Sequence, residues 1–291
     1  MPKTDLIINA DDFGMCHAAN AATFDLFEKG GITSATIMTP CGWASEALRF
    51  AASHPEYAIG VHLTLTSEWN NYRWRPVSAA PCPTLRDSAG YLPRSCAELE
   101  SQAVEQEIEA EIRAQIALAQ QAGLFPSHLD NHMGSLYGLE QNRCFLPTVL
   151  RICAELGLPF RLPCVAYGAA SDGHAPHFEQ MVQLAHQLRV PMPDYLWEYD
   201  WHGPQSASYQ AFRDDMLERF HRCPEGLVEM YIHPSLECDE LKGTSSVWFR
   251  RVWEHRLFAD PATRQHIESL GIRLINYRDL KQQREVFYGK A

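Results

Sequence analysis

Two adjacent carboxylates, Asp11 and Asp12, follow the apolar run Leu6-Ile7-Ile8 and precede Phe13-Gly14. Carboxylate oxygens bind divalent cations and accept protons. Neighbouring residues on an extended chain point to opposite sides, so both can serve one site only if the chain turns there, and Gly14 makes a turn easy. His62 closes a second apolar segment, Gly60-Val61-His62-Leu63-Thr64-Leu65, and His128, Asp130 and His132 crowd the end of another. Imidazoles and carboxylates recurring at successive segment ends are what a divalent metal requires.

Within His128-Leu129-Asp130-Asn131-His132, alternation along an extended chain puts His128, Asp130 and His132 on one face. His132, furthest along the segment, is the expected ligand, with Asp130 or His128 orienting it or shaping the substrate pocket, and His128 reads equally well as a histidine paired within the barrel interior. His233, at the end of Glu229-Met230-Tyr231-Ile232-His233-Pro234, is the candidate general acid, since an imidazole can hand a proton to a leaving amine near neutral pH. Arg161 is a charge in an otherwise apolar run, Phe160-Arg161-Leu162, and needs a partner, Asp11 or Asp130. The stretch from Glu68 to Pro76 carries Trp69, Tyr72 and Trp74 with two arginines. Such aromatic faces suit sugar rings, so Trp69 and Trp74 are candidate substrate contacts, although aromatics also pack a loop upon itself.

These residues need elements to hold them. Short apolar or β-branched runs near 5–10, 33–39, 58–65, 127–131, 159–162, 194–199, 226–232 and 271–276 read as strands. Helical patterns near 16–29, 43–54, 97–122, 141–156, 175–187, 206–221 and 246–269 lie between them, the last broken at Pro261. The 97–122 pattern is the clearest, rich in helix formers and stopped at Gly123, with an acidic face expected to be solvated. The alternation predicts an α/β fold, a single TIM-like (β/α) barrel of seven to eight strands over residues 1–291, with its chemistry at the C-terminal ends of the strands. Residues 66–96 form a loop insertion and 163–175 a second, Gly- and Ala-rich loop; loops this long are commonly lids or binding loops.

The chain's 291 residues carry a formal charge of −11, and its lysines and arginines are scattered, which argues against a nucleic-acid partner. The N-terminal apolar run is too short for a signal peptide, and no run is long enough for a membrane helix. Nine cysteines without CxxC spacing do not make a disulfide framework, so a reducing, cytoplasmic setting is expected. A homo-oligomer is compatible with such a chain, and no pattern fixes its size.

Taken together, Asn9-Ala10-Asp11-Asp12-Phe13-Gly14, Gly60-Val61-His62-Leu63, His128-Leu129-Asp130-Asn131-His132 and Ile232-His233-Pro234 resemble the YdjC-like family, which includes chitooligosaccharide deacetylase. The resemblance spans essentially the whole chain. It implies a barrel related to polysaccharide deacetylases, one divalent metal, and hydrolysis of the N-acetyl group of an amino sugar or oligosaccharide. Carried over by motif, Asp12, His62 and His132 hold the metal, Asp11 is the general base and His233 the general acid; in the mechanism this suggests, Arg161 is expected to hold Asp11 ionised. Zinc or magnesium leads the metal expectation, with cobalt, nickel or manganese also compatible with two histidines and a carboxylate. After His132 the chain continues Met133-Gly134-Ser135-Leu136-Tyr137, where the chitooligosaccharide deacetylase pattern is His-rich, so the sugar itself is left open. Two rival functions share the ligand set: another metal-assisted hydrolase such as a phosphoesterase, which needs a second metal or a phosphate cradle, and a non-catalytic sugar-binding protein, which needs neither Asp11 nor His233.

Overall fold

The computed structural model describes residues 4–165, 175–197, 199, 203–287 and 289. Seven parallel strands make one sheet: β1 (Thr4–Phe13), β2 (Ser34–Ile37), β3 (Ala58–Leu63), β4 (Leu129–Asn131), β5 (Tyr195–Trp197), β6 (Gly226–Ile232) and β7 (Ile272–Leu274). Their order is β4-β3-β2-β1-β6-β5, with β7 paired to the first half of β1, at Thr4 to Leu6, and β2 to the second, at Asn9 to Phe13. The helices are α1 (His17–Lys29), α2 (Ala44–Ser53), α3 (Cys96–Gln102), α4 (Glu105–Gln121), α5 (Leu146–Leu156), α6 (Ala175–Gln187), α7 (Tyr209–Phe220), α8 (Asp239–Thr244), α9 (Trp248–Phe258), α10 (Pro261–Ser269) and α11 (Tyr277–Phe287). The expected α/β barrel architecture is thus present.

The eighth candidate strand, 159–162, is reduced to a single bridge between Phe160 and Leu129. Pro159 and Pro163 flank it and its neighbours include Pro191 and Pro193, so too few N–H groups exist for a ladder. The segment still spans the gap between β4 and β5. Leu129 N donates to Pro159 O and Arg161 N to Leu129 O on one side, while Phe160 N and Cys164 N donate to Pro191 O and Pro193 O on the other. The strand expected at 194–199 and the loop expected at 163–175 lie partly outside the described residues.

Side chains alternate across each strand. On β1 and β6, Leu6, Ile8, Ala10, Val228, Met230 and Ile232 join the main apolar core. The alternate residues face the barrel interior, where Ile7 and Leu227 pack with Tyr277 and Leu280 of α11, a helix the sequence pattern did not reveal. Above them the interior turns polar: Asn9, Thr36, His128, Asp130 and Glu229 are all buried. Gly60 makes room for this layer, since a Cβ there would sit 2.4 Å from the carbonyl oxygen of His128.

The helix expected over 97–122 is two helices, broken where Ala103 and Val104 become extended. Its acidic face is not simply solvated. Glu100 and Glu111 are buried, and their carboxylates accept backbone N–H groups, Glu100 from Glu140 and Gln141 and Glu111 from Val77 and Ser78. Glu107 binds the backbone and hydroxyl of Thr84, whose Oγ1 accepts Val104 N at the break. The 66–96 loop is therefore tied to α4, with Trp74, Leu85 and Leu92 buried beneath it.

Candidate metal centre and catalytic cleft

The site begins with a kink in β1. Asp12 takes φ +60°, and the pairing of β1 with β2 slips between Ala10 and Phe13, the mark of a bulge. Aspartate is among the few residues that adopt this left-handed conformation readily, and strained backbone of this kind gathers at functional sites. The turn expected at Gly14 is thus placed on Asp12 itself, with Gly14 following at φ +92°. As a result both carboxylates face one imidazole: His62 Nε2 lies 4.0 Å from Asp11 Oδ2 and 3.6 Å from Asp12 Oδ1.

The two aspartates then diverge in their partners. Asp11 is gripped at both oxygens by Arg161, Nη1 to Oδ2 at 2.6 Å and Nη2 to Oδ1 at 2.7 Å. Asp12 gives Oδ2 to one arginine, Arg251, at 2.7 Å. Its Oδ1 is buried and accepts no hydrogen bond, although His132 Nδ1 stands 3.3 Å away. Each imidazole has its other nitrogen on a carboxylate. His62 Nδ1 lies 2.7 Å from Asp130 Oδ1, and His132 Nε2 lies 3.1 Å from Glu68 Oε2. Metal-binding histidines are oriented in this way. The facing atoms of Asp12, His62 and His132 all fall within 4.8 Å of one another. A buried oxygen without a donor, faced by two oriented imidazole nitrogens, fits a divalent cation. Asp11, His62 and Asp130 have similar spacing, but Asp11 is spent on Arg161 and Asp130 on His62, Thr36 and Arg161.

Electrostatics separate the roles further. Burial alone would raise the Asp11 carboxyl, but Arg161 overrides it and holds it down to about 2. Burial likewise opposes Arg251 and His132 at Asp12, which is held well below the usual carboxylate range. Burial disfavours the charged form of His132, yet Glu68 and Asp12 push it up to about 10. His233 is half-buried with Nδ1 enclosed, and this desolvated setting holds it down to about 4.

Arg161, 4% exposed, satisfies three carboxylates at once: Asp11, Asp130 at 2.9 Å and Glu229 at 2.8 Å. Both partners expected for it are present. A cleft of about 670 Å³ opens over this network, lined among others by Asp11, Asp12, His62, Trp69, Tyr231 and His233.

Three candidate substrate contacts lie elsewhere. Trp74 is 3% exposed, donates Nε1 to Thr66 O at 2.7 Å and presents its ring to His132 at 6.0 Å, so it packs behind His132 and away from the cleft. His128 is enclosed beneath the site, stacked on Tyr277 at 3.7 Å, with Nε2 3.2 Å from Asn9 Oδ1; burial and Arg161 hold it well below the usual histidine range, and hence neutral. Asp130 is wholly buried and braces His62 and Arg161. Arg251, Glu254 and Glu68 went unrecognised in the sequence. Arg251 and Glu254 sit in a helical pattern where charges normally face solvent, and Glu68 had only its place just after β3 to mark it.

The YdjC-like protein family model matches residues 5–269. The chain belongs to this family. A carbohydrate deacetylase of Geobacillus stearothermophilus is 29% identical to the YdjC-like chain over 274 residues, 94% of it and 96% of that protein. A chitooligosaccharide deacetylase of Yersinia enterocolitica is 27% identical over 280 residues, 94% of this chain and 98% of that protein. A solved structure from Enterococcus faecalis V583 superimposes with a TM-score of 0.74 at 29% identity, covering 95% of this chain and 98% of that one. Among the described residues of this YdjC-like chain, no helix is long and apolar enough to cross a membrane.

Proposed function

We propose that this chain is a metal-dependent carbohydrate deacetylase that hydrolyses the N-acetyl group of an amino sugar or oligosaccharide to acetate and a free amine. The observation that carries this reading is the split of the aspartate pair, Asp11 locked on Arg161 and Asp12 turned with a donorless oxygen toward His62 and His132. The relatives named for carbohydrate deacetylation support it.

Asp12, His62 and His132 would hold the metal. A divalent cation there would supply an electrophile for the amide carbonyl and acidify the attacking water. Asp11, held ionised by Arg161, accepts the proton that water loses. Its proton affinity is low, so it serves only an acidified donor. His233, neutral near pH 7 because its pKa is held to about 4, would relay the proton that Asp11 takes from the water to the leaving amine, so that the proton lost by water ends on the amine and Asp11 is again ionised. Trp69 and Tyr231 line the cleft as faces for the sugar ring. Zinc and magnesium lead as the cation.

The whole chain acts as one catalytic unit, with 66–96 as a loop insertion contributing to the cleft. Its nine cysteines are all free, which favours a reducing compartment, and we place the reaction in the cytoplasm. A phosphoesterase reading lacks support, since the other such group among the described residues, Asp11, His62 and Asp130, shares His62 with the first and has both its carboxylates on Arg161.

The test is acetate release from a panel of N-acetylated mono- and disaccharides, using protein stripped of metal and resupplied with zinc, magnesium, cobalt, nickel or manganese. Metal-restored release is expected. Silence across the panel from metal-loaded protein would reject the reading.

A further inference from the structure

Helix α9 carries two ionisable side chains, one turn apart, to the two halves of the proposed reaction centre. Arg251 reaches Oδ2 of Asp12 at 2.7 Å. Glu254, three residues on and so on the same face, accepts the backbone N–H of His233 at 2.6 Å. The helix backbone takes part as well, because the carbonyl of Arg251 accepts Ser235 N at 3.1 Å. Proline has no N–H, so α9 takes both N–H groups that the His233-Pro234-Ser235 segment offers.

Both side chains are polar groups taken out of water. Arg251 is 8% exposed and Glu254 2%. Nε and Nη1 of Arg251 are enclosed and make no hydrogen bond, and the guanidinium lies 6.0 Å from the Trp69 ring. A buried cation with donors unsatisfied costs stability, and a neutral side chain would fill the space at less expense. What Arg251 achieves is occupation of Oδ2 of Asp12, which leaves Oδ1 as the oxygen facing His62 and His132.

We propose that α9 is the positioning element of the site: Arg251 fixes Asp12 so that it offers one oxygen to the metal, and Glu254 fixes His233 in the cleft wall. Both anchors lie on one rigid turn, so the ligand and the proton donor are set relative to each other. Arg251 and Glu254 are positioning residues, each acting through another group. The proposal rests on the deacetylase reading for what the centre does and on the structure alone for its geometry.

The test uses the cobalt(II)-loaded protein, whose visible absorption is intense at low coordination number and weak at high. Arg251→Met frees Oδ2, so Asp12 can chelate through both oxygens; the band should weaken and kcat should fall about 10- to 100-fold, while Arg251→Lys restores both in large part. Glu254→Leu should leave the cobalt band intact and lower kcat more than it changes KM. Glu254→Gln, whose amide oxygen can accept the same N–H, should recover it. An unchanged band and kcat in Arg251→Met, or a Glu254→Gln variant as impaired as Glu254→Leu, overturns the proposal. Circular dichroism checks folding. Where a Met or Leu variant fails to fold, Arg251→Lys must keep the natural band and Glu254→Gln the natural kcat within about tenfold, and loss of either overturns it. A natural chain that binds cobalt but releases no acetate rejects the deacetylase reading and leaves α9 to be judged by the spectrum. A natural chain that takes up no cobalt rejects both.

Discussion

Asp11 and Asp12 are neighbours in sequence, yet each binds a different arginine, Arg161 with two oxygens and Arg251 with one. The difference decides which carboxylate keeps an oxygen for a cation. Asp11→Asn should therefore leave metal content near that of the natural chain and lower acetate release by about 10²- to 10⁴-fold. Asp12→Ala, His62→Ala and His132→Ala should each lose bound metal and turnover together. Metal analysis beside the acetate assay separates the two patterns, and an Asp11→Asn variant with natural turnover would remove Asp11 from the role of base.

Arg161 is the only cation that touches Asp11, Asp130 and Glu229 together among the described residues. Removing one partner of a buried ionic cluster leaves the others uncompensated, at a cost of about 3–5 kcal/mol. Arg161→Met should lower unfolding stability by that order in denaturant melts. Arg273→Ala, which removes a pair to Asp5 from a half-exposed arginine, should cost no more than about 1 kcal/mol. Equal costs for the two variants would contradict this account of the barrel interior.

Trp69 and Trp74 are five residues apart and their rings meet edge to face at 5.7 Å, but only Trp69 lines the cleft. Trp69 lines the cleft, so Trp69→Ala should raise KM with little loss of stability. Trp74 is packed behind His132, so Trp74→Ala should cost about 3–5 kcal/mol of stability. Thermal melts and saturation kinetics on both variants would expose a reversed assignment.

Glu254 supplies a pH dependence whose sign is fixed. Burial raises its carboxyl from 4.5 to about 8, so the folded protein holds that proton more tightly than the unfolded chain does. Its stabilising contribution is complete below about pH 4.5 and is lost as pH rises through about 8. In metal-free protein the melting temperature should fall with pH across that window more steeply for the natural chain than for Glu254→Gln. A steeper fall in the variant would place the Glu254 shift in the opposite direction.

Much of the site was legible in the sequence because strands deliver residues to their ends in a fixed order. Asp11, Asp12, His62, His132 and His233 terminate runs whose alternation marks them as strands, and all five line one cleft. Arg161 was marked by being a charge inside an apolar run, and its partners were limited to nearby carboxylates. The 97–122 pattern reads as one continuous helix in sequence, because propensity cannot register the hydrogen bonds that Glu100, Glu107 and Thr84 make across the fold.

The sequence by itself determined the α/β alternation, the residues that meet at the strand ends and the family to which they belong, since each depends on local periodicity or motif order. The tertiary structure alone decided which aspartate keeps a free oxygen, which tryptophan faces the cleft, and that Arg251 and Glu254 reach the site from α9. Those facts depend on contacts such as Arg251 with Asp12, 239 residues apart. No local pattern encodes that separation, because a helical charge reads as solvent-facing until the packing of its helix is known.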